Sequence, residues 1–300
     1  MIYHEGMLFM KKKIISVIVG VAGLAAAYFV VSGISHIVYN RPVDNAATES
    51  TAETTEQGTE EAKAAMTEDE INEMLAGMKA TETAETETAT EEQSEVIPVK
   101  FEELQAVNPD IYAWITVPGT VIDYPILQHA SDNTYYLMHN IDGSYGYPGC
   151  IYTENMNSKD FTDNNTVIYG HNMKNGSMFA QLHKFEDPDF FNENREVLIY
   201  LPDEVLHYTI FAAHIYDDRH LLYSFDFTDP EVYQKYLDSI FSTRDMSANI
   251  DKDITVTTDD QIITLVTCIG SQPNNRLLVQ AVLTDREPGA ETALAAAATE

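Results

Sequence analysis

The distribution of apolar positions divides this 300-residue chain into unlike parts. Ile14–Val38 is almost continuously apolar, and no Lys, Arg, Asp or Glu occurs from Ile14 to Asn40. At about 1.5 Å per residue those 25 residues make a helix of about 37 Å, enough to cross a hydrocarbon core of about 30 Å. Lys11–Lys13 precede it and predict a cytoplasmic N-terminus with an exported remainder. A cleaved signal peptide is the competing reading, with Ala25–Ala27 as its small residues. The apolar run continues well past them, which favours an uncleaved single-pass anchor. Met1 and Met10 both stand as candidate starts.

Residues 41–95 change to Thr, Glu, Ala and Ser without one aromatic side chain, a composition that cannot bury enough surface to offset ordering entropy. They predict a disordered acidic stalk. Within it Thr67–Lys79 is an exception. Thr67 and Glu70 resemble a capping box, and Ile71, Met74, Leu75 and Met78 recur at helical spacing. Docking of this helix on the folded domain and free suspension are both open.

From Val96 the pattern becomes β-branched, aromatic and turn-rich. Phe101–Val107 predicts a short helix stopped by Asn108-Pro109. Eight strand-like runs follow: Ala113–Val117, Tyr124–Gln128, Cys150–Thr153, Thr166–Tyr169, Glu196–Leu201, Leu206–His214, Gln261–Thr267 and Arg276–Leu283, with a hairpin turn at Pro202-Asp203. Val232, Tyr233, Tyr236, Leu237 and Ile240 form a helical stripe within Asp229–Phe241, opened by Asp229-Pro230. Eight strands and few helices predict a mostly β fold, a single eight-stranded barrel over residues 96–286. The expected organisation is therefore 1–40 cytoplasmic tip and transmembrane anchor, 41–95 linker, 96–286 barrel domain and 287–300 disordered tail.

Charge sharpens that division. Net charge is +2 over 1–40, −13 over 41–95 and −17 over 96–286, within −31 for the whole chain. So acidic a surface repels phosphate backbones and argues against nucleic-acid binding. Two cysteines, Cys150 and Cys268, are too few for a disulfide framework. In an exported domain they can bridge, or one can be a reactive thiol that stays free; the second is preferred.

The preference comes from position. Thr264-Leu265-Val266-Thr267 is a strand run that ends at Cys268, before the turn formers of Ile269–Pro273. Thiols at such ends are accessible, whereas those within strands are mostly inert packing. Thr166–Tyr169 likewise runs through Gly170 to deliver His171 at its end. A histidine there is commonly a surface or structural residue, yet it is also the group that exchanges protons with a thiol near neutral pH. Arg276 lies eight residues beyond Cys268, at the start of the strand expected to pair with it. It either offsets acidic surface or aims permanent donors at a developing oxyanion. Cys150 predicts a small core residue and Asn172 a turn residue. The Tyr-rich stretch Asp132–Met138 predicts packing more than a groove. His207, His214 and His220 make no metal-binding pattern, so neither metal nor cofactor is expected.

Taken together, "YGHNM", "TLVTC" and an Arg eight residues on resemble the sortase family of Gram-positive cell surfaces, over about Val96–Asp285. The helix Asp229–Phe241 between the sixth and seventh strands, and the run "NNTVIYGHNMKNGSMF", resemble the class B subgroup; Val266 departs from a Ser often found there. The resemblance implies a sortase-type barrel with His171, Cys268 and Arg276 converging on one groove. It implies a cysteine transpeptidase, a thiol protease that cleaves a C-terminal sorting signal in surface proteins. A thioacyl-enzyme on Cys268 then passes the threonine carboxyl to a peptidoglycan amine, or less often to a pilin lysine. The expected place is the cell membrane with the catalytic domain extracellular. Alternatives are a non-catalytic surface-binding module on a stalk, a papain-like protease and an L,D-transpeptidase. The papain order of Cys before His is reversed here, and a Ser-His-Gly-Cys loop is absent from the sequence.

Overall fold

The computed structural model describes residues 68–78 and 97–289. The expected span Ile14–Val38, Thr67 of the expected capping box and the chain beyond residue 289 lie outside the described residues. Among the described residues no helix is long and apolar enough to cross a membrane.

Among the described residues nine strands form one sheet: β1 Ile111–Thr116, β2 Asp123–Leu127, β3 Ile151–Thr153, β4 Asn165–Tyr169, β5 Glu196–Tyr200, β6 Glu204–Asp217, β7 Asn249–Ile250, β8 Ile262–Ile269 and β9 Gln272–Pro288. Their order is β5-β1-β2-β3-β4-β8-β9-β6-β7, and β5 also pairs with β6. That last pairing closes eight strands into a ring, as expected. The two-residue β7 is an addition laid on β6. Leu201 N–H donates to the Glu204 carbonyl at 2.9 Å, making the hairpin at Pro202-Asp203.

Alternation along each strand sorts side chains into an interior and an outer layer. On β8, Ile263, Leu265 and Ile269 join the barrel interior with Ile115, Ile168, Phe179, Leu277 and Val279. Ile262 and Val266 face the other way, into a second layer with Val167, Leu278 and Val282. The helix covering that layer, α5 (Pro230–Phe241), buries the predicted stripe Tyr233, Tyr236, Leu237 and Ile240. Its start follows from sequence. Pro230 sits in the first turn, and the Asp229 carboxylate accepts from Glu231 N–H at 2.8 Å.

A third apolar layer covers β1 and β2. There α1 (Glu68–Met78) inserts Leu75 beside Val99, Phe101 and Leu104, the last two from α2 (Phe101–Val107). Lys100 N–H donates to the Met78 carbonyl at 3.2 Å. The helix within the acidic segment is therefore docked, because its apolar stripe has a surface to bury. Short helices at Pro188–Glu193 (α3) and Leu221–Ser224 (α4) and the 3₁₀ turn Tyr135–Leu137 are too short to carry a periodic signal, while the 3₁₀ turn Phe179–Glu186 buries Phe179, Leu182 and Phe185 at a spacing of three that an α-helical period does not pick out.

Strand β9 exceeds its expected length at both ends. β9 begins at Gln272, which reduces the expected Ile269–Pro273 loop to the tip Gly270-Ser271. It also continues to Pro288, where Arg286 donates to Glu204 across the ladder at 2.8 Å. Outward polar residues on a paired strand look like loop in sequence, and the backbone ladder decides otherwise.

Candidate active site

Strand β4 pairs in parallel with β8, ending with Tyr169 opposite Val266. Two residues further along each chain are His171 and Cys268. The antiparallel β8–β9 register sets Arg276 directly opposite Cys268. Positions 264, 266 and 268 of β8 share a face, as do 276, 278 and 280 of β9; β4 ends at Tyr169, two residues before His171. Val266, Leu278 and Val167 all lie in the layer outside the barrel interior. The three singled-out residues thus come to one end of three neighbouring strands, with Cys268 and Arg276 paired across the ladder. Cys268 is the exposed residue of an otherwise buried strand, and its thiol is free.

The junction between the two strand ends is tight. Gly170 N–H donates to the Val266 carbonyl at 3.1 Å, and Thr267 Oγ1 donates to the Gly170 carbonyl at 2.8 Å. A Cβ on Gly170 would lie 2.6 Å from both Ile151 Cδ1 and the Phe179 ring, so only glycine permits this approach.

His171 Nε2 lies 2.8 Å from the Leu137 carbonyl, and Tyr147, half exposed, stands 5.2 Å ring to ring from it. A carbonyl only accepts, so Nε2 carries the hydrogen and Nδ1 is the nitrogen left to exchange a proton. Arg276 Nη1 donates to the Pro273 and Asn275 carbonyls, both at 2.9 Å, which anchors the fork beside the thiol. The Tyr-rich stretch packs as expected, with Tyr136 buried in the third layer, and its Leu137 carbonyl also reaches His171.

Asn172 departs from its expectation. It bridges Met178 as a turn residue, yet its Nδ2 also donates to the Cys268 carbonyl at 2.9 Å. His183 Nε2 lies 3.1 Å from the same carbonyl, and His183 Nδ1 lies 2.9 Å from Glu186. Neither residue was legible as a site residue. Asn172 follows a Gly-His pair that reads as a turn, and His183 belongs to a 3₁₀ segment with no motif.

The other candidates are elsewhere. Cys150 is buried and unbridged, its thiol donating weakly to the His139 carbonyl at 3.4 Å. Burial away from water, with a smaller contribution from the Asp142 charge, pushes that thiol far above its ordinary range. His214 is buried against Gln280, and His220 pairs with Glu154 at 2.7 Å. His207 stands 3.7 Å from Glu196. Among the described residues no group of three His, Cys, Asp or Glu side chains is arranged to hold a metal ion.

Residues 115–284 match the family described as Sortase domain. The chain belongs to the sortase family. Its curated relatives include Sortase B of Listeria monocytogenes serovar 1/2a (strain ATCC BAA-679 / EGD-e), 36% identical over 171 residues that cover 56% of this chain and 67% of that protein. Among solved structures, Clostridium perfringens sortase B matches with a TM-score of 0.56 at 34% identity, covering 62% of this chain and all of that one. A Streptococcus pyogenes class B sortase, described as involved in pilus biogenesis, matches with a TM-score of 0.54 at 29% identity, covering 62% of this chain and 98% of that one. This sortase is accordingly a class B-like cysteine transpeptidase. That membership displaces the papain-like, L,D-transpeptidase and non-catalytic alternatives.

Proposed function

We propose that Cys268 is the nucleophile, His171 the acid/base and Arg276 the oxyanion donor of a transpeptidase that joins surface proteins to cell-wall peptidoglycan. What supports it is the shared register: parallel β4–β8 and antiparallel β8–β9 pairing bring these three residue types to one strand end. Once the Cys268 thiol proton has passed to His171 Nδ1, the thiolate attacks the threonine carbonyl of a C-terminal sorting motif, and a C–S bond forms as the carbonyl oxygen takes the charge. Nη1 of Arg276 is taken by main-chain carbonyls, so its Nε and Nη2 hydrogens are the ones offered to that oxygen. The tetrahedral centre collapses, the C–N bond breaks, and His171 gives the departing amine its proton through Nδ1. An incoming amine then loses a proton to His171 and displaces Cys268 from the thioester.

The acceptor in this proposal is a peptidoglycan cross-bridge or precursor amine. A pilin lysine is the second reading, favoured by the pilus-associated S. pyogenes relative. The enzyme would be held at the membrane by Ile14–Val38 and would act outside the cell; the apolar length and the preceding lysines support this.

Mass spectrometry of the catalytic domain mixed with sorting-motif peptides and competing acceptor amines tests the chemistry. A covalent adduct on Cys268 and transfer to a peptidoglycan-type amine are expected. Transfer to lysine peptides alone would move the assignment to pilus assembly, and no adduct on Cys268 would refute the nucleophile. Protease protection of intact cells tests the topology: an epitope at Gly289 should be digested from outside, and a protected epitope would overturn it.

A further inference from the structure

The mechanism above leaves unexplained why two side chains from separate segments converge on the main chain of Cys268. The β4–β8 ladder makes its last backbone bond from Gly170 N–H to the Val266 carbonyl. Peptide direction alternates along a strand, so the next carbonyl on that edge of β8 belongs to Cys268. Strand β4 does not continue to meet it. The chain turns away, with Asn172 bridging Met178 and Phe179 N–H donating to the His171 carbonyl at 2.9 Å. Water would satisfy an exposed carbonyl at little cost, so stability alone does not require protein donors there. Yet Asn172 Nδ2 at 2.9 Å and His183 Nε2 at 3.1 Å both reach it, and the two nitrogens are 3.0 Å apart.

We propose that His183, backed by Glu186 and joined by Asn172, is a positioning residue that clamps the Cys268 carbonyl and thereby aims the nucleophilic thiol. The proposal rests on Cys268 being the residue that is acylated. The chemistry of the clamp follows from its donors and acceptors. An ionised carboxylate only accepts, so the Glu186 contact puts a hydrogen on His183 Nδ1. With Nε2 bare, it accepts one Asn172 amide hydrogen while the other goes to the Cys268 carbonyl. With Nε2 protonated, the imidazole donates to that carbonyl itself. The carbonyl is held in either state. Because the peptide unit is planar, fixing this oxygen fixes the plane that leaves Cys268 Cα, and with it the Cα–Cβ direction from which Sγ takes its staggered positions. The clamp also ties the β8 end to the 3₁₀ turn Phe179–Glu186, whose Phe179, Leu182 and Phe185 are anchored in the barrel interior.

Misaiming a nucleophile slows bond formation more than it weakens binding, and displacements of about 1 Å cost up to about 10²-fold. His183→Ala should therefore lower kcat about tenfold while KM for a sorting peptide stays within about twofold. His183→Gln keeps a side-chain N–H near the carbonyl and should recover most of that loss. Asn172→Ala should act in the same direction. The double variant Asn172→Ala/His183→Ala should lose less than the product of the singles, because both share one acceptor. Melting temperature measured alongside separates aiming from folding. His183→Ala turning over within about twofold of the parent would overturn the clamp. So would losses in both His183→Ala and His183→Gln that track a falling melting temperature, or a loss carried entirely by KM. Cys268→Ala is run in the same series: turnover surviving in it would refute the underlying nucleophile assignment instead, an outcome separate from any failure of His183.

Discussion

The two cysteines show how much chemistry depends on where a strand places a side chain. Cys150 sits just before β3 inside the third apolar layer, 6% exposed, with neighbours such as Tyr136, Tyr152 and Ile141. Its thiolate would have to exist without water, and burial sets its ionisation far out of reach. Cys268 has the same side chain, but it stands one residue before the end of its strand: Thr267 and Ile269 point into the fold while it alone on β8 is exposed. An arginine stands opposite and the histidine-bearing chain runs alongside. The histidines repeat the contrast, His171 at the open end of β4 and His214 buried in the middle of β6. A polar residue inside the sheet holds structure, and the same residue two positions past a ladder's end is left open to solvent.

The most direct way to break this comparison is to exchange the cysteines' fates. Cys268→Ala should abolish peptide cleavage and transfer, whereas Cys150→Ala should leave both close to the parent rate. Activity lost in the second and kept in the first would reverse the assignment. His171→Ala should be nearly as damaging as Cys268→Ala, since an amine leaves poorly without a proton. Arg276→Ala should cost about 10²–10³-fold in kcat, about 3–4 kcal/mol, the scale for losing one oxyanion donor. An Arg276→Ala enzyme with normal kcat and only raised KM would move Arg276 from the transition state to substrate docking.

A gentler version labels rather than deletes. Iodoacetamide under native conditions should modify one thiol, Cys268, with Cys150 following only after denaturation. Two equally fast thiols would contradict the buried environment assigned to Cys150. Removing the Cys150 sulfur should cost about 1 kcal/mol of stability, a packing loss with no kinetic counterpart.

Much of this was legible in the chain before its structure. The strand runs ending at Cys268 and His171, the start of α5 at Asp229-Pro230 and the barrel itself follow from alternation and turn chemistry, which are local. What was hidden is non-local. That Asn172 would turn its amide onto Cys268 depends on β4 leaving the ladder one residue earlier, and nothing within five residues of Asn172 announces it. His183 reaches the same carbonyl across 85 positions of sequence. The extension of β9 to Pro288 depends on β6 being there to pair with polar residues such as Asp285 and Arg286. Short helices without a full period leave no pattern to read.

The smallest predicted effect sharpens the histidine half of the comparison. His214 is 6% exposed on β6, its Nε2 donating to Gln280 Oε1 at 3.0 Å; Gln280 donates in turn to Tyr236 OH at 2.8 Å. Desolvation by burial holds the His214 pKa below its ordinary value, outweighing the opposing pull of the Gln280 and Ile215 oxygens and of the Asp245 charge. In the unfolded chain the ring titrates near its ordinary value of about 6.5. Between the folded and unfolded values the unfolded state binds the extra proton, so stability rises with pH across that window. The His214 contribution is fully present above about pH 6.5 and is lost as the pH falls below it. Carboxylates with lowered pKa values, such as Asp251 beside Arg195, lose their contribution only near and below their unfolded value of about 4, and comparison with a variant separates the histidine from every other group. His214→Gln retains an N–H for Gln280 and removes the titration. Urea midpoints at about pH 7.5 and about pH 5.5 should therefore fall less in His214→Gln than in the parent, with turnover at the higher pH unchanged. Equal falls in the two proteins would mean that His214 does not titrate in this range and that its burial does not govern its ionisation.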